Sequence, residues 1–478
     1  MTAAAGPGQV PKIHSDEDTM MRSLTVLLLA TVSLSTRAAG AEKLSRADVM
    51  KRAARHPTTE AAHSQIDEAR AQKRQADALR WPRISLSLGV VPSLRATLVP
   101  GSQVESVERA TDYSLGDVSP GFTGDLTIIQ PLYTFGKIAD RQRSAELGIG
   151  AYTAQARMRQ ADVAVEGAEL YEKYLLARDL ERFLEETDHI IVRSIEATED
   201  RLAARAGDVS QHDLLRLKTA RGPLIVGLHQ AQAGTRQAEA ALRAYFDLHD
   251  GTAFEPADAR LEPIPAGKLA LAELVRRAYR DRPELVALAD GAAAFDALAE
   301  AEHAGYLPDL VAIGFVSGAY TVGRDAVESR FVYDPARHFV PGVGLGLRWE
   351  LWGGLAGARA DEQRARGAEL RHLESWVRTA LPADVTNAYE ELERARADLP
   401  ALASASASAK EWVVRANADY DVGMVDSIVL TNAVDAYVTN RLAELDAAYR
   451  FNVALARLSR AIGAGSGGES LYAGGGAG

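Results

Sequence analysis

The 478-residue sequence contains no cysteine. Disulfide bonds, thiolate nucleophiles and cysteine-bound metals are therefore excluded, and so is a lipid-modified N-terminal cysteine. No stretch of the chain reaches about 18 consecutive apolar residues, the length expected of a membrane-spanning helix. The formal charge is −11, and no basic patch interleaved with aromatic residues offsets it. A nucleic-acid partner is therefore not expected.

Signatures of the common enzyme classes are missing as well. The chain has no His-Glu-x-x-His, no phosphate-binding Gly-x-x-x-x-Gly-Lys-Ser/Thr and no Gly-x-Ser-x-Gly elbow. Gly342, Gly344 and Gly346 superficially resemble a dinucleotide loop, but they fall on one side of an alternating strand pattern. The preferred interpretation is that these small residues let strands pack closely or line a lumen. We therefore predict no catalytic, cofactor or metal site, and we do not expect an enzyme.

Residues 1–41 are predicted to carry an export signal. A basic start at residues 21–23 precedes an apolar run, Leu24 to Leu34, and a small-residue site that ends at Ala41. This order is typical of a secretory signal peptide. We expect cleavage after Ala41, which leaves Glu42 as the first residue, and we interpret residues 1–20 as an upstream over-extension.

The sequence contains an internal duplication. Pro57 and Pro283 lie 226 positions apart, and so do Pro82 and Pro308. This period is far longer than the 20–50 residues of a solenoid unit. The sequence therefore predicts two tandem copies of one large module, at 42–249 and 269–463, joined by a Pro- and Gly-rich linker at 250–268. A Gly-rich tail, 464–478, is expected to be disordered.

Each copy combines two strands with very long helices. Strict alternation of apolar with small or polar residues predicts strands at 83–92, 122–133, 309–320 and 341–352. Helical composition predicts long helices at 137–206 and 355–421, ended by Gly207 and Gly423, and returning helices at 209–247 and 426–462. A helix of about 70 residues spans about 105 Å. Further helical segments are predicted at 45–80, with an early break at Pro57, and at 269–305.

Alternation alone does not decide between a water-soluble sandwich and a membrane barrel. The export signal, the long helices and aromatic residues at the strand ends favour the barrel. Four strands cannot close a barrel, and lipid does not tolerate an open edge, so several chains must share one. The predicted fold class is mostly α with a small membrane β-barrel part. Three polar strand residues are candidates for its lumen: Asp125, Arg348 and Glu350.

Two motifs carry a family resemblance. The segment 130–136, Gln-Pro-Leu-Tyr-Thr-Phe-Gly, resembles the Q-P-L-[YF]-x-x-G segment of TolC-like outer-membrane efflux proteins, and 420–423, Tyr-Asp-Val-Gly, resembles their second-repeat turn. The resemblance implies a homotrimer in which each protomer gives four strands to a twelve-stranded barrel in outer-membrane lipid. It also implies a periplasmic helical tunnel that docks on an inner-membrane transporter through a periplasmic adaptor protein.

The resemblance further implies a gate at the periplasmic tip, where Asp213 and Tyr420 match two residues that link inner and outer helices. Val425 stands where a linking arginine is expected, and Val429 and Asn432 stand where pore-narrowing aspartates are expected. Nearby acidic residues either restore the acidity or are ordinary solvated helix residues: Asp421, Asp426 and Asp435. Opening is expected to move the Gly207 and Gly423 turns.

The predicted function is a passive exit duct of a tripartite efflux or type I secretion system, in the outer membrane of a bacterial cell. One alternative is a secreted coiled-coil scaffold or adhesin that keeps the helices and folds the strands into a small soluble domain. The other is an exported enzyme, for which the sequence offers no polar cluster. The sequence does not identify the cargo or the transporter class.

Overall fold

A computed structural model describes residues 42–96, 118–205, 207, 209–247, 254–267, 270–326, 333–351 and 354–464. The predicted signal peptide and the Gly-rich tail after Ala464 lie outside the described residues. The same holds for most of the loop between the first two predicted strands, for part of the linker, and for Ala206, Asp208 and Trp352.

The first repeat begins with a short strand, β1 (Glu42–Leu44), and two helices, α1 (Arg46–Ala53) and α2 (Pro57–Ala78). The break expected at Pro57 separates these two helices, because a proline favours the first helical turn over the interior. Strands β2 (Arg83–Leu94) and β3 (Val118–Tyr133) follow, and then helices α3 (Lys137–Ala203) and α4 (Gln211–Tyr245).

The second repeat follows a three-residue strand, β4 (Phe254–Pro256). It contains α5 (Leu271–Asp281), α6 (Pro283–His303), β5 (Asp309–Thr321), β6 (His338–Arg348), α7 (Gly354–Asp421) and α8 (Ser427–Ala461). The predicted strand at 341–352 is displaced toward its N-terminal side. Glu350 consequently lies beyond the end of β6, outside the sheet.

Strands from both repeats form one antiparallel sheet in the order β2-β3-β5-β6. The contact between β3 and β5 joins the repeats, with Asp125 opposite Ser317 and Leu126 opposite Val316. Because side chains alternate along a strand, this register places the apolar positions of all four strands on one face. The other face carries the polar and small residues, together with a few apolar residues such as Ile129, Val311 and Phe315.

Long helices α3 and α7 dominate the rest of the molecule, with 67 and 68 residues. At about 1.5 Å per residue, each is about 100 Å long. Val163, Leu184 and Ile191 of α3, which lie multiples of seven residues apart, are buried in the core. Among the described helices, none is both long enough and apolar enough to cross a membrane. The predicted fold class is confirmed.

A second sheet, which the sequence did not reveal, joins the start of the described chain to the linker between the repeats. Strand β1 pairs in parallel with β4 over three residues. Beneath it lies Glu172, whose side chain is fully buried; Arg46 donates from Nε to its Oε1 at 2.6 Å. Asn452 of α8 donates to Oε2 of the same carboxylate at 2.8 Å. This network ties both repeats together midway along the helices.

Candidate functional site

One face of the four-stranded sheet is apolar and exposed. Val343 is 92% exposed, Leu88 77% and Leu345 74%. In a water-soluble protein, residues of this kind are normally buried, and a large contiguous exposed patch marks a surface that contacts another apolar medium. The same face also carries these exposed residues: Ile84, Leu86, Val90, Phe122, Ile128, Tyr320, Phe339 and Leu347.

The opposite face of the sheet is polar. Ser317 donates from Oγ to Asp125 Oδ1 at 2.7 Å, and His338 Nε2 lies 3.1 Å from the same hydroxyl. Arg348 pairs with Asp309 across β5 and β6 and reaches its carboxylate at 3.3 Å. Two of the three lumen candidates, Asp125 and Arg348, therefore lie on this face.

Both edges of the sheet are open. Within the described residues, β2 pairs only with β3, and β6 pairs only with β5. Edge strands expose unpaired backbone donors and acceptors, which is untenable beside lipid. A sheet with one exposed apolar face and two open edges therefore needs additional strands from outside the chain to become stable in a membrane.

The other functional region lies at the far end of the long helices, in the turns α3–α4 and α7–α8. Gly423 has a positive φ of 75°, and its N–H donates to the Tyr420 carbonyl at 3.0 Å. This left-handed residue closes the helix end, a position that favours glycine. In the first repeat the positive φ belongs to Arg205 at 56°. Helix α3 ends at Ala203, and Gly207 lies beyond it, in the turn that leads to α4.

Tyr420 connects α7 to α3. Its hydroxyl lies 2.7 Å from Thr198 Oγ1, and both side chains are buried. Thr198 has one hydroxyl proton and donates it to the Ser194 carbonyl at 2.6 Å, so Tyr420 is the donor of the link. Arg201 adds a second link by donating from Nη1 to the Tyr420 carbonyl at 2.9 Å. Burial raises the pKa of Tyr420, which keeps the phenol protonated.

Asp213 connects α4 to α8. Its Oδ2 accepts from the backbone N and the Oγ of Ser210, at 2.9 and 2.6 Å, which forms a capping box at the start of α4. Its Oδ1 accepts from Oγ of the fully buried Ser427 at 2.6 Å. Burial acts to raise the pKa of Asp213, but the hydrogen bonds that Ser210 and Ser427 donate to its carboxylate outweigh this effect, and the pKa lies well below its usual value.

The remaining candidates of this region are arranged differently. Asp426 caps α8 and lies 3.1 Å from the Ser427 hydroxyl, so this hydroxyl stands between two carboxylates. Asp421 is exposed and contacts Asn417 of its own helix at 3.3 Å. Val425 and Val429 pack against a hydrophobic core cluster between the helices. The place of the expected arginine is therefore apolar, and Arg201 of α3 supplies a guanidinium to this junction instead.

Sequence reasoning missed three of the linking residues, Thr198, Arg201 and Ser427. Their partners lie more than 200 positions away along the chain, at separations of 222, 219 and 214 residues. One local signal was available, since Ser210 followed three residues later by an acidic residue is a capping-box pattern that fixes the Asp213 carboxylate at the turn.

Comparison with known proteins agrees with this architecture. Residues 274–464 match the sequence model of the Outer membrane efflux protein family. No curated protein sequence gives a significant match. The solved structure of CusC, described in terms of folding and transmembrane channel formation, has a TM-score of 0.70 at 17% identity, over 88% of this chain and 93% of that one.

Two further solved structures have the same architecture. The CmeC outer membrane channel of Campylobacter jejuni has a TM-score of 0.67 at 14% identity, over 88% of this chain and 86% of that one. The open state of the MtrE outer membrane channel of Neisseria gonorrhoeae has a TM-score of 0.64 at 19% identity, over 88% and 89% of the two chains.

The fold of this chain is that of the TolC-like outer-membrane channels. The resemblance read from the two motifs is confirmed. The family model matches the second repeat, over residues 274–464, and the family description and the solved channel structures agree with the predicted outer-membrane location.

Proposed function

We propose that the protein is the exit duct of a tripartite efflux or type I secretion system. The observation that carries this proposal is the open-edged sheet, apolar and exposed on one face and polar on the other, joined directly to helices about 100 Å long. The wall of a membrane channel presents apolar residues to the lipid and polar residues to the water-filled lumen. The exposed apolar face also counts against a soluble scaffold or adhesin.

The duct is a homotrimer in this proposal. Each protomer offers the edges of β2 and β6, and antiparallel pairing of β2 with β6 of the next protomer closes twelve strands without a free edge. The helices extend the lumen into the periplasm. A periplasmic adaptor protein and an inner-membrane transporter are the partners that supply cargo at the opposite end.

The helix turns form the closure of the duct. The contact of Tyr420 with Thr198 holds α7 against α3, and the contact of Asp213 with Ser427 holds α4 against α8. All four side chains lie within a few residues of the turns. Breaking both contacts frees the two hairpins to separate, which is the motion that widens a tube made of helical hairpins. The mechanism is thus a conduit with a mechanical gate, without covalent chemistry.

Single-channel recording tests the proposal. The purified protein, reconstituted into planar lipid bilayers, is expected to give discrete conductance steps that require the assembled trimer. The matched preparation is the same protein dissociated in denaturant and diluted without refolding, which should give none. A folded trimer that inserts into bilayers and yet passes no current contradicts the function.

A further inference from the structure

A cationic cavity lies where the sheet meets the helices. It has a volume of about 430 Å³ and lies between the ends of β2, β3, β5 and β6 and the adjoining ends of α2 and α3. Its floor is formed by Ile129 and Val311, which belong to the polar face of the sheet because they share strand parity with Asp125 and Ser317. We call this cavity the junction pocket. In the proposed trimer it opens toward the lumen.

The charge of the junction pocket is unbalanced. Of the side chains that line it, four are cationic and one is acidic. The single carboxylate, Asp309, is already shared, because Lys137 Nζ approaches it at 2.8 Å and Arg348 Nη2 at 3.3 Å. Arg141 pairs outside the lining, with Glu302 at 2.9 Å. Arg83 has no carboxylate partner among the described residues.

The guanidinium groups keep donors available. Each guanidinium has five N–H donors, and Arg141 and Arg348 each use one nitrogen in the contacts above. Both side chains are well exposed, at 43% and 63%. Helix α3 also begins at the pocket wall, but Asp140 in its first turn offsets the positive end of its dipole, so the positive charge of the pocket comes from the side chains. A guanidinium group can donate two parallel hydrogen bonds to a carboxylate or a phosphate group.

We propose that the junction pocket binds the carboxylate or phosphate groups of solutes in transit, so that anionic compounds are among the exported cargo. The inference rests on the proposed function, because the polar face is a lumen only in an assembled duct. A chain with a net charge of −11 is expected to repel anions over most of its surface. A local cationic site at the barrel entrance therefore gives anions a binding step on their path.

Block of single-channel current by inorganic pyrophosphate tests the proposal. Wild-type channels are expected to show reversible, voltage-dependent block. Arg83→Gln should raise the half-blocking concentration about threefold, as expected for the loss of one exposed charge contact, and Arg83→Gln with Arg348→Gln about tenfold. The matched control is Arg95→Gln, which removes the same charge just beyond the other end of β2 and should leave the block unchanged.

The outcomes separate this inference from the proposed function. If channels conduct but pyrophosphate does not block them, the proposed anion binding at the junction pocket is wrong and the duct function stands. The same conclusion follows if pyrophosphate blocks the Arg83 and Arg95 variants equally. Calorimetric titration of the detergent-solubilised trimer with pyrophosphate gives a readout that needs no current. Binding that weakens in the double variant supports the pocket, and absence of binding to the wild type overturns it.

Discussion

Removing the Asp213 carboxylate should open the duct. Asp213→Ala deletes the acceptor of three hydrogen bonds, two from Ser210 at 2.9 and 2.6 Å and one from the Ser427 hydroxyl at 2.6 Å. Only the last of these contacts joins α4 to α8. When this contact is lost, the fully buried Ser427 hydroxyl keeps only Asp426, at 3.1 Å, as an acceptor.

The magnitude follows from the charge of the acceptor. A hydrogen bond to a charged group contributes about 1.5–3 kcal/mol. Because Asp426 partly replaces Asp213 as acceptor for Ser427, we take the lower end, about 1.5 kcal/mol per protomer. Since about 1.4 kcal/mol is a factor of ten, the ratio of closed to open tips should fall about tenfold per protomer. In planar bilayers the variant should show a higher mean conductance than the wild type.

Two further variants separate the inter-helix link from the local cap. Ser427→Ala removes the link and keeps the capping box, so it should raise conductance as Asp213→Ala does. Ser210→Ala removes the cap and keeps the link, so it should lower the free energy of unfolding by about 1 kcal/mol without raising conductance. If Ser210→Ala opened the channel and Ser427→Ala did not, the reasoning would be refuted.

Three other predictions concern neighbouring contacts. Tyr420→Phe should destabilise the fold by about 1 kcal/mol in denaturant unfolding, because the buried Thr198 hydroxyl loses its donor. Arg46→Met should cost about 3–5 kcal/mol in the same measurement, since it leaves the buried Glu172 carboxylate without its cation. Conductance recorded against pH should be flat from pH 5 to 8. The folded pKa of Asp213 lies below the unfolded value of 3.8, so its stabilisation is complete above that pH and is lost only as the pH falls through the folded pKa.

Matched controls accompany these predictions. Tyr437→Phe changes the same atoms in a tyrosine that makes an edge contact with Phe183, and it should be nearly neutral. Arg70→Met breaks an exposed pair within α2, in which Arg70 is 58% exposed, and should cost less than about 1 kcal/mol. If Arg70→Met lowers the free energy of unfolding as much as Arg46→Met does, burial of Glu172 is not the cause of the loss. If the channel opens between pH 5 and 7, the pH argument for Asp213 is wrong.

The sequence predicted the parts of the fold that periodic patterns encode. Alternation predicted the four main strands, and the absence of proline from 137 to 206 predicted the length of α3. Strand β1 was missed because three residues are too few for any period to appear, and β4 was missed because it lies in a proline-rich linker. Their pairing depends on a contact between segments about 212 positions apart.

The candidate gate was predicted less completely. Motif position identified Asp213 and Tyr420, whereas their partners depend on how two hairpins pack. The turn after α3 shows a different limit. Glycine is the usual residue at a left-handed position, but Arg205 occupies such a position here, and its residue type gave no signal for it. The apolar environment of Val425 likewise became visible only from the packing of α8 against its neighbours.

The central claim is that one face of the four-stranded sheet contacts lipid and the opposite face contacts water. Single cysteine substitutions test this claim most directly, because the chain has no cysteine of its own. Val343 lies on the apolar face, and Thr127 lies on the polar face two residues from Asp125. In reconstituted trimers, Val343→Cys should react with a membrane-soluble maleimide and resist a charged, water-soluble one. Thr127→Cys should react with the water-soluble reagent through the pore. Equal labelling of both positions by the charged reagent would contradict the claim.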